Sequence, residues 1–198
     1  MANPPPESRI SIPPPAHRPN WLLRLIRTYL VERTLWRVPK NDRVLDLCCG
    51  YGFYFSINAR AHGIDSDPVC IEYLRQRGIS ARQSDVLKGL PYESGQFDYV
   101  IAHDVLEHFL YEDLETLLGH VYRVLRPGGV FLVFVPNRKG FDYGVRIGVG
   151  HRLYVTGREV ASLCRGMFSV RRNYPEPLPR WIGRYFTHNK EVFELVKI

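Results

Sequence analysis

Short apolar runs alternate with amphipathic stretches along most of this chain. Arg43–Leu47, Ala61–Asp65, Ser80–Ser84, Phe97–Ala102 and Val130–Val135 are compact runs bounded by Gly, Pro, Asn or Asp, which predicts strands. Between them, Pro68–Arg77 and Leu110–Leu125 carry apolar residues at helical spacing. Strands alternating with helices predict a parallel sheet covered on both faces. Pro127-Gly128-Gly129 predicts a turn into the fifth strand. Thr156-Gly157-Arg158-Glu159 reads as a capping box opening a helix to about Arg165. Phe168–Asn173 and Glu191–Val196 then predict an antiparallel hairpin that completes seven strands. Asn137 to Arg152 holds Gly140, Gly144, Gly148 and Gly150, and is expected as a mobile lid or substrate loop past the carboxyl end of strand five. Pro175 to His188, with Trp181, Tyr185 and Phe186, should join the last two strands above the same edge.

Upstream, Asn20 predicts the cap of a helix from Trp21 to about Arg37, with Leu22, Leu25, Ile26, Tyr29 and Leu30 on one face. Residues 1–19 contain two Pro-Pro-Pro runs and predict a disordered or polyproline arm. The expected organisation is therefore that arm and a single domain over 20–198. Within the domain, 20–39 is the leading helix, 40–137 the central core, and 138–198 the lid with the last strands.

The chain has 198 residues, of which 45% are hydrophobic and 24% charged, enough for one substantial core. Cys48, Cys49, Cys70 and Cys164 show no metal-ligand spacing, so no metal is expected and a reduced cytoplasmic protein is the simplest reading. No apolar run reaches the ~20 residues of a membrane span, and the proline-rich start does not read as a secretory signal. Net charge is +7 with a pI near 9.4. The basic residues are scattered, which keeps a nucleic-acid partner as an alternative to an anionic small molecule or a membrane surface.

The chemistry concentrates at Val44-Leu45-Asp46-Leu47-Cys48-Cys49-Gly50-Tyr51-Gly52 and at Gly63-Ile64-Asp65. A strand, a tight glycine turn and a second strand ending on a carboxylate form the first half of a nucleotide-binding α/β unit. A dinucleotide pyrophosphate needs a third glycine where this chain has Phe55. Asp46, Asp65 and Asp85 would repel phosphates and suit instead a cationic cofactor with ribose hydroxyls. That disfavours a nicotinamide oxidoreductase.

With Leu90-Pro91-Tyr92, Phe97-Asp98, Glu107-His108 and Arg123-Val124-Leu125-Arg126-Pro127-Gly128-Gly129 in order behind these motifs, residues 40 to 137 resemble the class I S-adenosylmethionine (SAM) dependent methyltransferases, in particular the type 11 group acting on small molecules. The resemblance implies a Rossmann-like, seven-stranded, mostly parallel sheet with helices on both faces and a C-terminal antiparallel hairpin. It implies SAM as cofactor and S-adenosylhomocysteine as product. Asp46 is then expected at the methionine ammonium, directly or through water, and Asp65 with Ser66 at the ribose hydroxyls. Asp85 and Val86 are expected at the adenine, and His103 flanking the reacting methyl. Cys48, Gly50 and Gly52 should line the turn, the glycines letting the backbone approach the cofactor. Asp67 reads as a helix N-cap before Pro68. Two departures stand out: Cys48 replaces the first glycine of the turn, and the segment from Gly52 to Gly63 shortens the first helix to a stub near Phe53–Asn58.

Glu107 and His108 match the family's Glu-His pair and are the acid-base candidates, His108 as a proton acceptor near neutral pH. His151, Arg152 and Tyr143 in the expected lid are candidates for binding substrate, and Trp21, Tyr29 or Trp36 could border it. An Ala102-His103-Asp104 stretch after strand four is neither Asn/Asp-Pro-Pro-Tyr/Phe nor Pro-Cys, which disfavours adenine-amino and cytosine-carbon DNA enzymes. The expected function is methyl transfer to a small-molecule or lipid-like acceptor, anionic ones included. The alternatives are an RNA or protein methyltransferase, and a catalytically silent methyltransferase-like binding module.

Overall fold

Alternation along the central strands sends their side chains into two separate apolar layers. The structure, a computed structural model, describes residues 34–41, 43–186 and 189–198. Strand β1 is Val44–Leu47, β2 His62–Asp65, β3 Ala81–Gln83, β4 Phe97–His103, β5 Leu125–Pro136, β6 Phe168–Glu176 and β7 Lys190–Lys197. Leu45, Leu47, Val100, Ala102, Phe131 and Val133 join one layer, whereas Val44, Ile101, Leu132 and Phe134 join the other. The first layer is closed by Leu114, Leu117, Leu118, Val121 and Val124 of helix α2 (Tyr111–Val124). Ile71 and Leu74 of α1 (Pro68–Arg75) close the second, together with Tyr54 and Phe55. Each fully buried Leu, Ile or Phe in these layers contributes about 1.5–3 kcal/mol.

The strand order is β3-β2-β1-β4-β5-β7-β6. The β1–β2, β1–β4, β2–β3 and β4–β5 pairs are parallel, and β5–β7 and β6–β7 are antiparallel. This is the expected sheet with its terminal hairpin. Strand order reverses between β1 and β4, so the carboxyl ends of those strands flank the crevice where ligands bind in such sheets.

Two expectations are corrected. The Asn137–Arg152 segment is not a loop: helix α3 spans Arg138–Ile147. Asn137 caps it by accepting from the Gly140 amide at 2.8 Å, and Gly148 ends it in the left-handed conformation at φ 73°. The Pro127-Gly128-Gly129 turn lies inside β5, which starts at Leu125 directly after α2. Pairing slips there between Phe97 and Tyr99, so the three residues bulge out of the ladder. The link from β6 to β7 contains a short helix, α5 (Arg180–Gly183). Helix α4 (Gly157–Leu163) does carry the expected box: the Thr156 hydroxyl accepts from the Glu159 amide and the Glu159 carboxylate from the Thr156 amide. The arm and most of the leading helix, with Trp21 and Tyr29, lie outside the described residues. The described residues of that segment include a 3₁₀ turn, Leu35–Arg37, with Leu35 buried and Trp36 exposed.

Candidate active site

The turn after β1 is built by three residues in left-handed backbone: Cys48 at φ 54°, Gly50 at 50° and Gly52 at 82°. For Cys48 that conformation costs roughly 1–2 kcal/mol, because its Cβ crowds the following carbonyl. The chain then makes only a 3₁₀ turn, Tyr54–Ser56, so the first helix is the expected stub. The two glycines have different roles. A Cβ on Gly52 would lie 2.5 Å from Leu74 Cδ2 and 2.6 Å from Phe55 Cδ2, so packing requires a glycine there. A Cβ on Gly50 would meet nothing within 4 Å. Gly50 alone faces open space.

Asp65 ends β2 with its carboxylate clamped across the crevice. Oδ2 accepts from the Gly50 amide at 2.9 Å and Oδ1 from the Asp67 amide at 2.9 Å. A carboxylate has about four lone-pair sites, so capacity for two hydroxyl donors remains. Asp67 is the helix cap read from the sequence, accepting from the Val69 amide at 2.8 Å. Ser66 follows Asp65, and its carbonyl accepts from Gln83 Nε2 at 3.4 Å. Asp46 is 4% exposed, deeper than a cofactor-facing group was expected to be. Its charge helps push the Cys49 thiol up, after burial itself, and in lesser degree the Tyr54 hydroxyl. Asp85 holds its own turn, accepting from the Leu87 amide at 3.0 Å, with Lys88 Nζ at 4.0 Å from its other oxygen. Val86 is buried in the core.

Past β4 lies a polar cluster. His103 packs between Phe134 (centroids 5.0 Å apart) and the exposed Phe53 (5.9 Å). Lys190 Nζ, from the first residue of β7, donates to His103 Nε2 at 2.9 Å and to Asp104 Oδ2 at 2.6 Å. Burial alone would raise the Asp104 carboxyl, but the Lys190 ammonium, and then His103, hold it below its ordinary value. Asp104 itself has φ 56°. Neither Lys190, Asp104 nor Phe53 was a candidate from sequence. Lys190 falls one residue before the predicted last strand, and an isolated lysine there reads as solvated surface.

Glu107 is 1% exposed, and neither carboxylate oxygen has a hydrogen-bond partner among the described residues. Burial, and next the Asp104 charge, push its pKa up to about 8, so it is mostly protonated at neutral pH. His108 Nδ1 bonds to the Gly150 carbonyl at 3.2 Å, and His151 Nδ1 to the Phe141 carbonyl at 3.1 Å. His151 Nε2 lies 4.0 Å from Glu107 Oε1, and the two imidazoles are in edge contact at 5.1 Å. Burial and the His151 ring lower the His108 pKa, leaving a neutral ring with a lone pair on Nε2 at pH 7. The fold thus brings His151 to the Glu107-His108 pair. Arg152 and Tyr143 do not join through their side chains: Arg152 is exposed, its amide donating to the Glu107 carbonyl at 2.7 Å, and Tyr143 is exposed beneath the Arg146 guanidinium.

Residues 45–133 match the family model described as a methyltransferase domain. Over 140 residues the chain is 33% identical to a probable S-adenosylmethionine-dependent methyltransferase of Mycolicibacterium smegmatis, covering 68% of this chain and 52% of that protein. It is 33% identical over 101 residues to the tRNA (carboxymethyluridine(34)-5-O)-methyltransferase of Xenopus tropicalis, covering 50% and 16%. A sterol 24-C-methyltransferase of Schizosaccharomyces pombe is 28% identical over 137 residues, covering 57% and 35%. The chain therefore spans about half the length of the first of these relatives and less of the others. A solved geranyl diphosphate methyltransferase, in complex with GPP and sinefungin, superposes with a TM-score of 0.66 at 14% identity, covering 88% and 79%. The sheet order, the acidic strand ends and these matches agree: residues 45–133 carry a methyltransferase domain of the class I SAM-dependent kind.

Proposed function

We propose that this chain binds SAM along the ends of β1, β2 and β3 and transfers its methyl group to a small-molecule or lipid-like acceptor beside Glu107, His108 and His151. The carrying observation is the Asp65 carboxylate, fixed by two backbone amides with lone pairs left over and with open space beside Gly50. That arrangement suits two vicinal ribose hydroxyls and no phosphate. When bound, SAM supplies an activated methyl carbon. The residues of this chain bind it, orient the acceptor and exclude water. Asp46 and the turn amides serve the methionine end, Asp85 and the Val86 backbone the adenine, and His103, fixed by Lys190 and two aromatic rings, borders the reacting carbon. His108 Nε2, unprotonated near neutral pH, is the group able to take a proton from an acceptor hydroxyl or amine. The enclosure of this cluster, with the His151 side chain 10% exposed, favours a compact acceptor.

An RNA acceptor is the second reading. Its support is the exposed Trp181, Tyr185 and Phe186 interleaved with Arg180 and Arg184, a combination suited to stacking bases and neutralising phosphates. Steeply salt-dependent binding of a tRNA by the purified chain, absent for the sterol-like and isoprenoid compounds, would favour it.

The first test is calorimetric titration with SAM and S-adenosylhomocysteine, with NAD as control. Binding of the adenosyl compounds alone is expected. Asp65→Ala should weaken it by about 1–3 kcal/mol through loss of charge-assisted hydrogen bonds. A folded wild-type protein that binds neither compound would instead favour a catalytically silent module.

A further inference from the structure

We propose that Glu107, His108 and His151 form a divalent transition-metal site, a two-histidine, one-carboxylate donor set suited to Zn²⁺ or Co²⁺. One potential ligand atom from each residue lies within 4.8 Å of the other two.

Three observations lead there. Both imidazoles are oriented through Nδ1 by backbone carbonyls, of Gly150 and of Phe141. That is the usual outer support of a metal-bound histidine, and it leaves each Nε2 as the lone-pair nitrogen. Glu107 sits beside them fully buried, with both oxygens lacking hydrogen-bond partners among the described residues. A buried carboxylate in that state costs several kcal/mol unless a proton or a cation meets it. Finally, the His151 ring is held in place by a position that must be glycine. A Cβ on Gly144 would fall 2.1 Å from His151 Cε1, so the α3 backbone seats the ring directly.

Two nitrogens and one carboxylate select a first-row transition metal over Mg²⁺ or Ca²⁺, which prefer all-oxygen shells. Tetrahedral bonds of about 2.0–2.2 Å place ligand atoms roughly 3.4 Å apart. From separations of up to 4.8 Å the three side chains must therefore close by as much as about 1.4 Å, through rotations of the side chains onto the cation. Three protein ligands leave at least one position for water or an acceptor oxygen. This refines the proposed function at one point. With the cation bound, His108 is a ligand and not the base, and the acceptor's acidity comes from the cation. The favoured acceptors are then those presenting a hydroxyl or another oxygen donor.

The test is titration of the chelator-treated full chain with Co²⁺, followed by visible absorption, with Zn²⁺ as competitor. One equivalent should bind, with the d–d bands of a nitrogen–oxygen site and displacement by Zn²⁺. His151→Ala and Glu107→Gln should each weaken binding at least tenfold while melting as cooperatively as wild type. If Glu107→Gln fails to fold, His151→Ala carries the test alone. No binding, binding unchanged in a folded variant, or a thiolate charge-transfer band from Cys48 or Cys49 would each overturn the assignment. Separate titration with S-adenosylhomocysteine distinguishes failure of the metal site from failure of the methyltransferase reading.

Discussion

At the scale of single residues, the glycine turn separates two demands that look identical in the sequence. Gly52 is wedged against Leu74 and Phe55 and also holds φ 82°, so a methyl group there meets both a steric and a backbone penalty. Gly50 has the backbone penalty alone, with its missing side chain facing the open crevice. Gly52→Ala should thus lose about 3 kcal/mol of stability. Gly50→Ala should lose only about 1 kcal/mol, yet weaken S-adenosylhomocysteine binding tenfold or more. Denaturant unfolding and calorimetry on the two variants measure this. Equal stability losses would mean that Phe55 and Leu74 yield to the added methyl. The place of Asp65 at the end of β2 was legible because Gly63-Ile64-Asp65 closes a short apolar run on a carboxylate. The depth of Asp46 was not legible, because side-chain parity within β1 alone does not reveal how closely Tyr54 and Cys49 cover it.

At the scale of elements, the main error of the sequence reading concerns α3. Its glycines suggested a loop, since each costs a helix about 1 kcal/mol relative to alanine. Gly144 is helical because the His151 ring occupies the space of its side chain, and Gly140 because its amide completes the Asn137 cap. These are tertiary and capping effects that periodicity does not register. The capping box of α4 was legible because both of its partners lie within four residues of one another. A second element-level device is Asp98, which ties the start of β4 to Arg43 before β1 and to Arg126 in the β5 bulge. Partial burial would raise its carboxyl, but the Arg126 and Arg43 guanidiniums outweigh that and hold it below its ordinary value of 3.8. A lowered carboxyl adds stability above its ordinary pKa and loses it as the pH falls through the folded-state value. Asp98→Asn should therefore destabilise by about 0.5–1 kcal/mol at pH 7, the pair being partly solvated. The difference should shrink as the pH falls through the folded-state value, which lies below 3.8, and vanish once the carboxyl is protonated in both states. Urea midpoints measured across that range check it, and a gap persisting in acid would mean the effect is packing rather than charge.

For the whole molecule, the mostly parallel sheet with helices on both faces was legible because local alternation, helix spacing and handedness leave few topologies for alternating strands and helices. The polar cluster was only half legible. Glu107 and His108 are adjacent in sequence, but His151 arrives through α3, and Lys190 through the antiparallel return of β7 beside β5. No spacing rule links such distant positions; only the assembled sheet does. The same assembly makes a prediction about ligand and fold together. The Asp65 clamp joins the turn after β1 to the start of α1 through two backbone amides, so this part of the crevice is held by the fold itself. Ligand at 100 times its dissociation constant should then stabilise the native state by about 2.7 kcal/mol, without affinity for the unfolded chain. For a domain of this size that corresponds to a rise in Tm of about 5–11 °C. Scanning calorimetry with S-adenosylhomocysteine at that ratio reads the shift. Tight binding with a much smaller rise would mean that the ligand also binds the unfolded chain or that unfolding is not two-state, and that the folded crevice is not its sole site.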